Sequence, residues 1–286
     1  MADFVEIVEV GPRDGLQNES RPIPVEEKVS LINALSKVGF RRIEAASFVS
    51  PKWVPQMAGS RDVMAGIDRV EGVSYTALTP NLRGLEDAIA SQVDEVAVFA
   101  SASEGFSRAN INASIAESIE RFKPVMERAG EAGITVRGYI SCVTDCPYDG
   151  TVAPDQVAKV TDDLFRIGCF EVSLGDTLGK ATPETTYAML SSVLGVAEPS
   201  KLAGHFHDTA GRAIENVDVA LDHGLRIFDA SVAGLGGCPY APGAAGNVAT
   251  EALSDHLATE GYDHGLDTEA LATASILARS MRGDHK

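Results

Sequence analysis

The stretch 202–232, LAGHFHDTAGRAIENVDVALDHGLRIFDASV, contains a complete strand–helix–strand unit. Its first part, 202–206, is short and mostly apolar, and residues 214–222 carry apolar side chains at helical spacing. His223-Gly224 follows the helical run, and glycine there is typical of a helix C-terminus because it readily adopts left-handed backbone angles. A second apolar and β-branched run fills 226–232. This order predicts two parallel strands joined by a crossover helix.

The same alternation recurs along the chain. Eight short runs typical of β-strands occupy residues 4–10, 42–48, 73–78, 95–100, 135–142, 170–174, 202–206 and 226–232. Runs with helical spacing lie at 25–38, 82–91, 115–132, 155–167, 183–196, 214–222, 248–258 and 268–282. Gly39, Gly133 and Gly168 end three further helical runs in the same way as Gly224.

The number of units decides between two α/β architectures. Eight strand–helix units in about 250 residues favour a (β/α)8 TIM barrel over an open doubly wound sheet. A dinucleotide-binding sheet is also disfavoured because no G-x-G-x-x-G motif follows the first strand. The sequence therefore predicts one TIM-barrel domain over 1–286, with a closing helix and one more helix after the eighth strand.

Composition and charge exclude several classes of protein. The chain has 24 lysines and arginines against 41 aspartates and glutamates, a net charge of −17 that disfavours binding to nucleic acid or to an anionic membrane surface. The first fifteen residues hold two acidic residues near the start and no apolar run of signal-peptide length, and no run approaches the ~18 apolar residues of a membrane-spanning helix. Four cysteines are few for a disulfide scaffold, so we expect reduced thiols and a cytoplasmic protein.

Polar residues collect where the predicted strands end, which is where TIM barrels carry their chemistry. His205 and His207 lie two positions apart at the end of the seventh strand, so both side chains face the same way. Asp14 follows the first strand and reaches the same rim. Two imidazoles and a carboxylate suit Mg²⁺ or Mn²⁺, whereas zinc more often recruits a thiolate or a third histidine. The alternative is one core histidine and one surface histidine without a metal.

Two arginines and one cysteine are further candidates for binding and catalysis. Arg13 beside Asp14 either polarises a carbonyl or stabilises an enolate oxygen, or it forms a surface salt bridge. Arg137 lies within the fifth strand and needs an anionic partner, either a substrate carboxylate or Glu44. Cys238 lies in a glycine-rich loop after the eighth strand, where it is either a proton donor or acceptor or a passive thiol.

Seven segments carry a family resemblance from the first strand almost to the last helix. They are VEVGPRDGLQNE (8–19), SFVSPKWVPQM (47–57), LTPNLRG (78–84), RGYISC (137–142), EVSLGDTLG (171–179), HFHDT (205–209) and VAGLGGCPYAPGAAGNVATE (232–251). In these segments the chain resembles the 3-hydroxy-3-methylglutaryl-CoA lyases, within the wider group of (β/α)8 metal-dependent lyases and Claisen-type condensing enzymes. The segment SFVSPKWVPQM (47–57) and the loop GLGGCPYAPGAAGN (234–247) separate the lyases from their condensing relatives.

The resemblance implies a reaction and a metal site. The reaction is retro-Claisen cleavage of 3-hydroxy-3-methylglutaryl-CoA to acetyl-CoA and acetoacetate, with Mg²⁺ or Mn²⁺ as cofactor. The implied metal ligands are Asp14, His205, His207 and Asn247. The base stays open between His205, Asp14 and a water on the ion, so His205 is also a catalytic candidate.

The resemblance also implies roles for residues around the metal. Arg13 would polarise the thioester carbonyl, and Cys238 would take part in proton transfer. Glu44 and Asp176 would orient Arg13 and the substrate hydroxyl. The expected substrate-binding residues are Arg13, Gln17, Ser47, Arg137 and Ser173.

Other activities stay open at this point. A lyase acting on a related 3-hydroxyacyl-CoA fits the same motifs. A Claisen-condensing acyltransferase is disfavoured because such relatives usually carry a long C-terminal region, and this sequence stops at residue 286. A barrel that only binds acyl-CoA or a partner protein is disfavoured because the aspartate, histidines and cysteine are all present. The resemblance further implies a homodimer.

Overall fold

Eight parallel strands close into a barrel in the computed structural model, which describes residues 2–237 and 246–282. The strands are β1 (Glu6–Glu9), β2 (Arg42–Ser47), β3 (Ser74–Leu78), β4 (Glu95–Ser101), β5 (Thr135–Ser141), β6 (Glu171–Asp176), β7 (Leu202–Phe206) and β8 (Ile227–Ala230). They pair in chain order, and β8 closes the ring against β1, with Glu6 opposite Ile227 and Glu9 opposite Ala230. The predicted TIM barrel is confirmed.

Helices follow the strands and cover the outside of the barrel. They are α1 (Val25–Leu35), α2 (Ser60–Gly66), α3 (Leu82–Ala90), α4 (Glu104–Ile111), α5 (Ile115–Glu131), α6 (Pro154–Ile167), α7 (Pro183–Val193), α8 (Ala213–Asp222), α9 (Thr250–Thr259) and α10 (Thr268–Met281). Gly168 ends α6 with a φ of 110°, as the sequence predicts for a left-handed helix stop. The sequence analysis missed α2, α4 and a small hairpin that pairs Asp145–Cys146 with Gly150–Thr151.

The apolar core lies between the strands and the helices, but the inside of the barrel is charged. Ile43, Val136 and Val172 belong to the apolar core. Barrel interiors are normally filled by branched apolar side chains. Here Arg42 of β2 bonds Glu171 of β6, and hydrogen bonds between strands on opposite sides of the barrel cross its interior. A column of buried charged side chains therefore runs along the barrel axis.

Two further expectations concern thiols and membranes. Cys142, Cys146 and Cys169 are buried free thiols, as expected for reduced cysteines. Cys238 lies outside the described residues. In ranges 2–237 and 246–282, no helix has the length and apolar composition needed to cross a bilayer.

Candidate active site

One π-helical turn, Gly11–Gly15, follows β1 and presents two charged side chains at the C-terminal end of the barrel. The carboxylate of Glu9 ties this turn to the loop after β8. It accepts hydrogen bonds from the first amide of the turn at 2.8 Å and from the amide of Val232 at 2.9 Å. Arg13 and Asp14 are thereby fixed at the rim.

Arg13 is a buried cation held between two carboxylates. Its Nε donates to Oε2 of Glu44 at 2.7 Å, and its Nη1 donates to Oδ1 of Asp14 at 2.6 Å. Burial alone would lower the pKa of Arg13, but the charges of Glu44 and Asp14 outweigh it and raise the pKa. Burial would raise the pKa of Asp14, but Arg13 and then the two histidines lower it to about 2. Both groups are therefore charged at neutral pH.

The two histidines at the end of β7 point at Asp14, as the sequence predicts for alternate residues. Nε2 of His205 lies 3.3 Å from Nε2 of His207 and 3.9 Å from Oδ2 of Asp14. One ligand atom from each of the three residues lies within 4.8 Å of the others. Nδ1 of His205 is 3.0 Å from Oδ2 of Asp229, and because a carboxylate oxygen accepts, Nδ1 is the donor and Nε2 is left on the side of Asp14.

Asn247 completes the group from the second stem of the loop after β8. A backbone bridge joins it to His207, and its Nδ2 donates to Oδ2 of Asp14 at 2.9 Å. Its Oδ1 is buried and has no hydrogen-bond partner among the described residues. An unpaired buried oxygen carries an unfavourable desolvation free energy, which a cation bound at Oδ1 would relieve.

The chemistry of these four side chains fits a hard divalent cation. Burial, and then the neighbouring His205, lower the pKa of His207 to about 4, so its imidazole is neutral and able to bind a metal. Asp14 supplies a carboxylate oxygen and Asn247 an amide oxygen, next to two imidazole nitrogens. Oxygen and imidazole donors without a thiolate suit Mg²⁺ or Mn²⁺.

The structure adds Asp229, a site residue that the sequence analysis missed. Its Oδ2 accepts from Ser173 at 2.7 Å as well as contacting His205, and its Oδ1 accepts from Nη2 of Arg137 at 2.8 Å. Arg137 strongly lowers the pKa of Asp229, against burial, which would raise it. The available signal was a lone carboxylate among the apolar residues of Ile227–Ala230 in the eighth strand.

Arg137 does not pair directly with Glu44, one of its two expected partners. Its Nη1 donates to the hydroxyl of Tyr139 at 3.0 Å, and that hydroxyl donates to Oε2 of Glu44 at 3.2 Å. Its Nε and Nη2 are held by Glu171 and Asp229. Arg137 is only 2% exposed, because the interior carboxylates attract its charge away from the rim. Binding of a substrate carboxylate by Arg137 stays a prediction.

The remaining expected residues take different positions. Ser47 is buried at the end of β2, and its Oγ has no partner among the described residues. Ser173 is buried against Asp229. Gln17 is partly exposed beside the rim. Asp176 anchors the turn after β6, because its carboxylate accepts from the amide of Ala181 at 2.9 Å. Burial raises its pKa to about 6.

Comparisons with known proteins identify the family of the chain. A family profile described as HMGL-like matches residues 4–277. The hydroxymethylglutaryl-CoA lyase of Pseudomonas mevalonii is 55% identical over 279 residues, which are 98% of this chain and 93% of the relative. A Pseudomonas aeruginosa protein is named 3-hydroxy-3-isohexenylglutaryl-CoA/hydroxy-methylglutaryl-CoA lyase. It is 56% identical over 270 residues, which are 94% of this chain and 90% of the relative.

A solved structure extends the agreement to three dimensions. The HMG-CoA lyase from Brucella melitensis matches with a TM-score of 0.98 at 58% sequence identity, covering 99% of this chain and 100% of that chain. The resemblance found in the sequence segments is confirmed over nearly the whole length. The chain is a carbon–carbon lyase and belongs to the HMGL-like family, the family of the hydroxymethylglutaryl-CoA lyases.

Proposed function

We propose that this chain cleaves 3-hydroxy-3-methylglutaryl-CoA to acetyl-CoA and acetoacetate with a divalent cation, Mg²⁺ or Mn²⁺, held by Asp14, His205, His207 and Asn247. The observation that carries the proposal is the convergence of a buried arginine with a carboxylate and two imidazoles at the C-terminal rim. Relatives named for this cleavage at 55% and 56% identity support the substrate. A cation there supplies Lewis-acid polarisation of substrate oxygens.

The protein's own side chains divide the remaining work. Cleavage of the C2–C3 bond leaves negative charge on the thioester oxygen of the enolate, and Arg13 is a fixed cation that stabilises it. Glu44 of β2 holds Arg13 in place through a buried ion pair. The acceptor of the hydroxyl proton stays open between His205, Asp14 and a water molecule at the rim.

Cys238 is proposed as the acid that protonates the enolate carbon. It directly follows Gly237, whose carbonyl accepts a hydrogen bond from Nδ2 of Asn18 at 3.1 Å. The two stems of its loop meet at the rim, since a Cβ on Gly246 would lie 2.5 Å from the backbone of Gly236. In the sequence, Cys238 therefore directly follows one of two described stems that meet, and Asn247 lies in the other.

Cys238→Ala is expected to lower kcat by about 10²–10⁴-fold, the range for loss of a proton-transfer group. Mn²⁺ affinity should stay at the wild-type value, because the thiol is not among the proposed ligands. Steady-state kinetics and calorimetric titration with Mn²⁺ measure the two effects. Cys169→Ala is the control, since this thiol is buried in the apolar core. Wild-type turnover in Cys238→Ala would exclude the thiol from catalysis.

The test of the function is product release from 3-hydroxy-3-methylglutaryl-CoA. We expect equal amounts of acetoacetate and acetyl-CoA with Mg²⁺ or Mn²⁺, and none with excess EDTA. The 3-hydroxy-3-isohexenylglutaryl thioester is the second substrate to assay, because a relative at 56% identity is named for both. No cleavage of 3-hydroxy-3-methylglutaryl-CoA, or condensation of acetyl-CoA with a 2-oxo acid, would overturn the proposal.

A homodimer and a cytoplasmic location are also part of the proposal. The resemblance to the family supports the dimer. Location differs among members, since the relative from Bos taurus is named as mitochondrial and that from Danio rerio as cytoplasmic. Sedimentation equilibrium of the purified protein tests the dimer: a particle of twice 30.1 kDa is expected.

A further inference from the structure

We propose that Arg42 and Glu171, at the end of the barrel opposite the active site, are positioning residues that act through Arg137. Each is the first residue of its strand, so both lie at the N-terminal end of the barrel. The inference rests on the proposed function, because the groups that they position are His205 and Arg13. It adds the N-terminal half of the barrel interior to the catalytic apparatus.

The pair is two-pronged and buried. Nη1 of Arg42 donates to Oε1 of Glu171 at 2.9 Å, and Nη2 donates to Oε2 at 3.1 Å. Nε of Arg42 donates to Oε1 of Glu6 at 2.8 Å. Two parallel bonds between a guanidinium and a carboxylate fix the plane of both groups. The Glu171 carboxylate therefore has one orientation.

Glu171 passes this orientation to Arg137. The same Oε1 accepts a hydrogen bond from Nε of Arg137 at 2.6 Å. The other two nitrogens of Arg137 are held by Tyr139 and Asp229. Those two contacts define a line about which the guanidinium could still turn, and the third contact, at Nε, fixes its plane. Glu171 is therefore the contact that sets the direction of Arg137.

Arg137 leads to both halves of the proposed active site. On one side Asp229 joins Arg137 to Nδ1 of His205, with distances of 2.8 and 3.0 Å. On the other side the Tyr139 hydroxyl joins Arg137 to Oε2 of Glu44, the oxygen that accepts from Nε of Arg13. A tilt of the Arg137 guanidinium would therefore move Asp229 with His205, and also Glu44 with Arg13. Displacements of about 0.5 Å are enough to lower catalysis when groups must converge on a reacting atom.

The competing explanation is that Arg42 only balances charge. Glu6 and Glu95 also lie near its guanidinium, with Nη1 of Arg42 3.9 Å from Oε1 of Glu95. A lysine at position 42 would keep the positive charge beside these carboxylates, but an ammonium group cannot form the two-pronged bond to Glu171. Charge balance therefore predicts that Arg42→Lys behaves like the wild type, whereas positioning predicts a loss.

The experiment compares Arg42→Lys and Glu171→Gln with the matched control Arg41→Lys. Arg41 precedes Arg42 but is exposed and stacks 3.9 Å over the ring of Phe4, outside the barrel. Three quantities are measured: the Mn²⁺ Kd of metal-free protein without substrate, kcat and KM, and Tm. We expect Mn²⁺ affinity and kcat to fall by about 10-fold in Arg42→Lys and about 100-fold in Glu171→Gln, the range found for partners that orient metal ligands. The KM of both variants should stay at the wild-type value, and Arg41→Lys should match the wild type in every measured quantity.

The outcomes separate the two roles and the two proposals. Wild-type Mn²⁺ affinity and kcat in both variants, even with a lower Tm, would overturn the positioning role. If the wild type does not cleave 3-hydroxy-3-methylglutaryl-CoA, the proposed function fails, and the Mn²⁺ series alone then decides whether Arg42 and Glu171 orient His205. Weakened Mn²⁺ binding with an unchanged control supports the inference.

Discussion

Arg13→Met is expected to lower kcat for cleavage of 3-hydroxy-3-methylglutaryl-CoA by about 10³-fold, the cost of removing a donor from a developing oxyanion. Glu44 and Asp14 hold the guanidinium before substrate arrives, so it needs no rearrangement as charge develops. KM should change much less than kcat, because the charge on the thioester oxygen forms only as the C2–C3 bond breaks. Steady-state kinetics at saturating Mg²⁺ measure both constants.

Two further variants separate chemistry from folding. Removing Arg13 leaves Glu44 buried without its cation, which costs about 3–5 kcal/mol of stability, so Tm must be measured with kcat. Arg13→Lys keeps the charge but lacks the planar guanidinium that bonds both carboxylates, and we expect a smaller loss of kcat than in Arg13→Met. Arg83→Met is the control: it removes an exposed arginine from α3, and kcat, KM and Tm should stay at their wild-type values. Turnover near the wild-type rate in a folded Arg13→Met protein would exclude Arg13 from charge stabilisation.

The barrel could be predicted because its signals are local. Parallel strands of a barrel are buried on both faces, by the helices outside and by the barrel interior. In the sequence they therefore appear as short runs of mostly apolar residues, and glycine marks the helix ends. The short helices α2 and α4 give too few turns for a helical period to show. For α4 a cap signal was available, since the Ser103 hydroxyl accepts from the amide of Phe106.

The candidate site was predictable only where motifs end strands. His205 and His207 share a face because side chains alternate, and a barrel brings Asp14 to the same rim. Asp229 was missed because its place beside His205 depends on the register between β7 and β8. Its bond to Arg137 joins residues 92 positions apart across the interior. Local periodicity in the sequence predicts neither the register between strands nor the contacts across the barrel.

His207→Ala is expected to weaken Mn²⁺ binding by more than about 100-fold, because loss of a ligand should cost more than loss of a partner that orients one. Nε2 of His207 lies 3.3 Å from Nε2 of His205, so both nitrogens reach one cation. The backbone bridge from His207 to Asn247 is independent of the side chain, so the carboxylate and amide ligands should keep their places. Cleavage should be lost at Mn²⁺ concentrations that saturate the wild type and return in part at higher concentrations.

This concentration dependence distinguishes a ligand from a general base. If His207 only moved a proton, added Mn²⁺ would restore nothing, and the Kd for Mn²⁺ would match the wild type. Calorimetric titration of metal-free protein measures the Kd, and acetoacetate release measures activity over the same Mn²⁺ range. His223→Ala is the control: its imidazole packs 4.9 Å from the ring of Tyr187 beside the C-terminal end of α8. Because the side chains of Asp14, His205 and Asn247 remain in place, a large loss of affinity in His207→Ala would identify the imidazole itself as the missing metal donor.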